Sequence, residues 1–215
     1  MIPSAVIFDC DGVVVDSEGP SFALLSQDLA RYGLPMSAAQ MQAMFLGGTV
    51  QGIFDTCRSM GAKLPDDWVQ DFYARIYAIL AKDTPLIAGI LNVLNALDTA
   101  KFPFAIGSNG SPRKMEITLG QHPGLTERFR GHIYSAQTLG KPKPAPDLYL
   151  HAARAWGVQP EACVVIEDSA NGARAAQAAG MRCMGFAPHG NAEALRGVGA
   201  EIFSDMNDLP RLLGI

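Results

Sequence analysis

Apolar positions along this chain follow two rhythms. Residues 5–8 (Ala-Val-Ile-Phe) form an unbroken apolar run that ends on Asp9, with Asp11 and Gly12 just beyond. Such a run predicts a strand buried on both faces, as in a parallel sheet. From 17 to 83 the period becomes helical and no strand pattern appears. Phe22, Leu25, Leu29 and Tyr32 share one helical face. Ser37-Ala38-Ala39-Gln40 fits a capping box that opens a second helix. Asp66 or Asp67 starts a third, with Trp68, Phe72, Ile76 and Ile79 on one stripe. These aromatics read as core. From Thr84-Pro85 onward the two rhythms alternate. Ile87, Ile90, Leu91, Leu94 and Leu97 predict a helix, followed by strands over 102–107, 132–135, 163–166, 182–186 and 201–203. Helical patterns over 112–121, 146–156, 170–179 and 192–196 separate most of them.

Strand-helix alternation implies a parallel sheet covered on both sides. The first strand is too short to stand alone and has no partner in the helical block, so it joins that sheet. The expected fold is therefore α/β: a Rossmann-like, doubly wound parallel core made of 1–16 and 84–215, with an all-helical cap inserted at 17–83. The crossings near Asp16-Ser17 and Asp83-Pro85 are natural hinges, and a hinged lid suits a reaction that excludes water.

Composition narrows the class. The chain has 215 residues, 48% hydrophobic and 18% charged, with a net charge of −4. This balance gives no footprint for nucleic acid or an anionic membrane. No apolar run reaches the length of a membrane span. The first residues lack a basic region ahead of Asp9, so no signal peptide is expected. Cys10, Cys57, Cys163 and Cys183 form no C-x-x-C pair, and reduced, buried thiols in a cytoplasmic protein are expected, with a monomer as the default.

Candidate chemistry gathers just after predicted strands, where open α/β sheets bind ligands. Asp9 and Asp11 at a buried strand end repel each other and call for a positive partner, most simply a divalent metal. Oxygen-only ligands point to magnesium. A metal-bound carboxylate facing a phosphate is a candidate nucleophile. Gly107-Ser108-Asn109-Gly110-Ser111-Pro112 offers a hydroxyl and free backbone N–H groups before a helix, which suits an anion. Lys141 and Lys143 compete as a fixed positive charge on a proline-stiffened loop. Glu167 and Asp168 end another apolar strand. In the helical block, Leu46-Gly47-Gly48-Thr49 either approaches a substrate or joins two helices. Together these groups suit phosphoryl transfer, where positioning and charge neutralisation dominate.

Over essentially its whole length the chain resembles the haloacid dehalogenase superfamily, in the subgroup with a helical cap. The family's D-x-D-G-[TV] appears as Asp9-Cys10-Asp11-Gly12-Val13, and its strand-ending Ser/Thr as Ser108. Its G-x-x-K-P-x-P selects Lys143 over Lys141, and its E-D-S-x-x-G-x-x-A-A-x-x-A-G-M matches Glu167 through Met181. The resemblance implies Asp9 as nucleophile, Asp11 as acid then base, and an aspartyl-phosphate intermediate. It implies Mg²⁺ held by Asp9, the Asp11 carbonyl and Asp168, with Glu167 acting directly or through water. Ser108 and Lys143 would hold phosphoryl oxygens, helped by the backbone of Cys10 and Asn109, with Gly47, Gly48 and Thr49 toward the substrate. Arg113 and Lys114, near the mouth, either meet a second anionic group on the substrate or stay solvated on their helix.

Within the superfamily, Asp11 speaks against haloacid dehalogenases, which lack the second aspartate. Phosphonatases use a cap lysine, and no lysine lies in this cap before Lys63. β-Phosphoglucomutases carry a histidine where Ser21 stands and a phosphate-clamping arginine where Gln51 stands. A phosphatase acting on a small phosphate ester is therefore expected, such as a sugar phosphate or 6-phosphogluconate. The phosphosugar mutase and a non-catalytic phosphometabolite-binding protein are the alternatives.

Overall fold

The computed structural model describes residues 2–188 and 190–215. The first strand, β1 (Ala5–Phe8), leads through the Asp9–Asp16 turn into α1 (Glu18–Arg31), α2 (Ala38–Phe45), α3 (Val50–Ser59) and α4 (Trp68–Leu80). The chain then alternates: α5 (Ile90–Thr99), β2 (Phe104–Ser108), α6 (Pro112–Leu119), α7 (Leu125–Arg128), β3 (Ile133–Ser135) and α8 (Ala136–Leu139). It finishes with α9 (Asp147–Trp156), β4 (Cys163–Glu167), α10 (Ala170–Ala178), β5 (Arg182–Phe186), α11 (Ala192–Arg196), β6 (Glu201–Phe203) and α12 (Leu209–Leu213). No helix among the described residues is long and apolar enough to cross a membrane.

All six strands are parallel, in the order β3-β2-β1-β4-β5-β6. The chain runs outward from β1 on one side, then returns to start again at β4. The reversal opens a crevice beyond the carboxyl ends of β1 and β4, the usual ligand position in such sheets. Register aligns that edge: Phe8 lies level with Ile106 and Ile166, so Asp9 emerges beside Gly107 and Glu167. The Asp9 amide donates to the Ile166 carbonyl at 2.9 Å.

Side-chain alternation splits the core by sheet face. Val6, Phe8, Val164 and Ile166 pack under α5 and α6. Ala5, Ile7, Cys163 and Val165 pack against α9 and α10. A third apolar cluster, with Leu25, Leu29, Phe45, Trp68, Phe72, Ile76 and Leu80, lies within α1–α4. The α2 start has the expected capping box, with Ser37 and Gln40 bonded reciprocally.

The structure corrects the sequence reading in the helical block. Helix α3 was absent from the expected elements, although Thr49 caps it and Ile53, Phe54 and Cys57 face the cluster. Ile79 is exposed and Leu80 completes the α4 stripe, because a run at 68, 72, 76 continues to 80. The four cysteines are free and buried.

Candidate active site

Four segments of the core bring their polar groups to the crevice. Asp9 is 6% exposed and its Oδ1 accepts from Lys143 Nζ at 2.9 Å. Lys143 also donates to Glu167 Oε1 at 2.6 Å and sits over the Tyr149 ring. Glu167 accepts from the Tyr149 hydroxyl at 2.7 Å on the same oxygen. Its Oε2 accepts from Ser169 N at 3.0 Å and Ser169 Oγ at 2.9 Å. These four donors use all four acceptor directions of the carboxylate. Lys143 is thereby fixed between two acids, while exposed Lys141 pairs with Asp147 at 2.7 Å on the surface.

Asp11 sits beyond Asp9, with Lys114 Nζ 2.7 Å from its Oδ1 and the Ser17 hydroxyl donating to the same oxygen. Asp168 lies behind Gly12, whose φ of +73° turns the chain around it. A Cβ at Gly12 would overlap the Asp168 carboxylate, so glycine answers both the turn and the approach. Ser108 is buried at the end of β2, and its Oγ accepts from Gly110 N at 2.9 Å. Ser111 caps α6 through Lys114 N at 3.0 Å, with Pro112 in the first turn as the sequence predicts. The Cys10 side chain joins the apolar core, leaving only its backbone at the crevice.

The electrostatics are those of crowded, buried acids. Burial pushes Asp9 up to about 7, with Lys143 opposing and Glu167 and Asp11 adding to the rise. Burial and the neighbouring Glu18, Glu167 and Asp9 carboxylates push Asp168 well above the usual range. Burial also pushes Asp11 up, but Lys114 and Ser17 more than offset it and hold the carboxyl below its ordinary value. Lys143 is raised by Asp9 and Glu167 against the opposing effect of its own burial. Glu18 contributes a further acid: burial and Asp11 raise it to about 7, and its carboxyl bonds to that of Asp168.

Five carboxylates (Asp9, Asp11, Glu18, Glu167, Asp168) thus face two ammonium groups (Lys114, Lys143). Carboxylate oxygens of Asp9, Glu167 and Asp168 lie within 4.8 Å of one another. With Glu167 saturated by its own donors, the oxygens of Asp9 and Asp168 fit a hard divalent cation, which offsets the burial and repulsion that raise both groups.

The cap closes this site. Asn109 Nδ2 donates to the Gly47 carbonyl at 2.9 Å, while its Oδ1 accepts from Lys143 N at 2.9 Å. Tyr73 accepts from Gln137 at 2.7 Å, and Tyr77 bonds Ser111. Gly47, Gly48 and Thr49 all line the cavity between cap and sheet edge. Thr49 Oγ1 accepts from Gly52 N at 3.0 Å as the α3 cap. Arg113 is not part of it: its side chain points to solvent and pairs with Glu116 at 2.7 Å. Lys114, one residue on along α6, faces inward instead. The sequence reading also passed over Glu18 and Tyr149. An acid in a first helical turn reads as a capping charge, and a helical tyrosine as core.

The haloacid dehalogenase-like hydrolase family model matches residues 3–180. The chain belongs to this hydrolase family. A conserved haloacid dehalogenase-like protein from Agrobacterium tumefaciens shares 36% identity and superimposes with a TM-score of 0.84, covering 98% of this chain and 97% of that one. A family hydrolase from Deinococcus radiodurans, solved with bound phosphate and sodium, shares 34% identity at a TM-score of 0.79. That match covers 99% of this chain and 96% of the other. The 6-phosphogluconate phosphatase of Escherichia coli K12 is 27% identical over 97% of this chain and 93% of its own length.

Proposed function

We propose that this hydrolase is a magnesium-dependent phosphatase that cleaves a small phosphate monoester through an aspartyl-phosphate on Asp9. Residues 17–83 serve as its cap, and the protein acts as a cytoplasmic monomer. The observation that carries the reading is the convergence of Asp9, Asp11, Asp168, Ser108 and Lys143 on one closed sheet edge.

In the first half-reaction an Asp9 Oδ–phosphorus bond forms as the bond from phosphorus to the alcohol oxygen breaks. Asp11 gives that oxygen its proton. In the second, water attacks phosphorus, the bond to Asp9 breaks and Asp11 takes the water's proton. Lys114 and Ser17 keep Asp11 ionised in the free site, ready for that second half. A phosphoryl dianion nearby favours the proton uptake that the first half requires. Lys143 and Ser108 hold the phosphoryl oxygens. Asp9, Asp168 and the Asp11 carbonyl would hold Mg²⁺, with Glu167 behind them because its acceptor directions are filled. When bound, the ion screens the charge that nucleophile and phosphoryl group bring together.

Two observations favour phosphatase over mutase. Ser21, where the mutases keep a histidine, donates to the Ser17 carbonyl at 2.8 Å. Gln51 is exposed and bonds Asp55 at 2.9 Å, so it is no phosphate clamp. The test is phosphate release from p-nitrophenyl phosphate with Mg²⁺ by wild type and by Asp9→Asn. The variant is expected to fold normally and lose at least ~10³-fold in rate. Equal activity in the variant removes Asp9 as nucleophile. An inert wild type under every divalent metal favours the non-catalytic reading.

A further inference from the structure

We propose that the alcohol half of the substrate is small, uncharged and mostly carbon, making the substrate an alkyl phosphate rather than a sugar or sugar-acid phosphate. This rests on the phosphatase reading above. The cavity has two unlike halves. Its floor is the charged sheet edge. Its roof, supplied by the cap, is built from Phe22, Leu25, Phe45, Ile53, Phe72 and Ile76.

The polar groups set into that roof are few and each has a partner, with one O–H donor left on Thr49 and one on Tyr73. Ser21 donates to the Ser17 carbonyl, Thr49 accepts from Gly52 N, and the Tyr73 hydroxyl accepts from Gln137. The Gly47 carbonyl accepts from Asn109. Two O–H donors cannot serve the several hydroxyls of a sugar, most of which would exchange water for carbon there, which is unfavourable without new partners. An alkyl group gains from the same surface.

Charge sharpens the contrast. Among the described residues, the cations lining the cavity are Lys114 and Lys143, and each is bonded to a carboxylate on the floor. Arg75, on the same helix as Phe72 and Ile76, is turned away to Asp28 and Asp71. The ionisable cap side chain that does reach the cavity is the acid Glu18, so among the described residues the cap offers no cation to a sugar-acid carboxylate. The free volume is about 130 Å³, modest for a binding cleft, and the cavity is partly open to solvent.

Four primary alkyl esters separate the possibilities at comparable intrinsic reactivity: n-butyl phosphate, glycerol 1-phosphate, 2-phosphoglycolate and 6-phosphogluconate, with p-nitrophenyl phosphate as the reporter of any phosphatase activity. With wild-type enzyme and Mg²⁺, n-butyl phosphate is expected to show at least tenfold higher kcat/KM than the other three. Ile53→Arg, which adds a cation to the roof, is expected to narrow or invert that ratio toward 2-phosphoglycolate. Preference for any of the three polar esters, with p-nitrophenyl phosphate still cleaved, overturns the inference and leaves the phosphatase standing. Release from no ester, the reporter included, removes the phosphatase reading and this inference with it.

Discussion

Glu167 is fully buried and accepts four hydrogen bonds, from Lys143, Tyr149 and twice from Ser169. A carboxylate buried that deeply needs a donor in each acceptor direction, and here each is filled. Its work is to hold the Lys143 ammonium beside Asp9. Tyr149→Phe removes one of the four donors without changing the ring beneath Lys143. The expected cost is about 1–3 kcal/mol of stability, read from denaturant unfolding. Turnover should fall several-fold while Lys143 stays in place; an unchanged stability would mean that the Tyr149 bond is replaced by water. Gly172 belongs to the same arrangement, since a Cβ there would fall inside the Glu167 carboxylate. The motif residues were legible in the sequence because a carboxylate or lysine at the end of an apolar strand has few structural uses. Tyr149 and Glu18 were not, because each sits on a helix whose ordinary pattern accounts for its residue type. Arg113 and Lys114 are adjacent in sequence, and only the rotation of α6 decides which of them enters the cavity.

Elements were most legible where both faces are buried. The five later strands lie within two residues of the expected bounds at either end, since an apolar run flanked by polar turns leaves little freedom of register. Helix α3 was missed because its apolar positions are few and its start lies in a glycine-rich stretch that reads as loop. What holds the cap helices to one another also eluded the pattern. Asp28 of α1, 3% exposed, accepts from Trp68 Nε1 at 2.8 Å and from both Arg75 terminal nitrogens, at 2.9 and 2.5 Å. A lone acid on a helical face gives no such sign until α4 packs against it. Asp28→Asn keeps the shape but removes the charge that both α4 residues address. It is expected to destabilise the α1–α4 contact by about 1–3 kcal/mol. Hydrogen exchange should rise in the amides of 18–80 and stay unchanged in β1, β2 and β4; uniform change across both would show that cap and sheet unfold as one unit.

At the scale of the whole molecule, the proposed phosphatase would depend on how closely the cap can meet the sheet edge, where Gly47 makes the tight contact. Its φ of +69° suits glycine, and a Cβ there would overlap the Ser169 side chain beside Glu167. Its carbonyl receives the Asn109 amide, whose other end fixes the backbone of Lys143. One glycine therefore links the cap loop to Lys143, the partner of Asp9, through a single side chain. Gly47→Ala adds a methyl where closure leaves no room and strains the turn. The cap is expected to sit ajar, admitting water to the floor and separating Asn109 from its carbonyl. We expect kcat/KM for the preferred ester to fall by roughly 10²-fold, the scale of a displacement near 1 Å at the chemistry. Mg²⁺ affinity in the free enzyme should not move, because the ligands of the floor are untouched. Small-angle scattering should give a larger radius of gyration for the variant in the presence of phosphate. If the variant instead closes like wild type and keeps its kcat/KM, the contact between Gly47 and Ser169 does not limit closure, and the cap must reach its working position by another route.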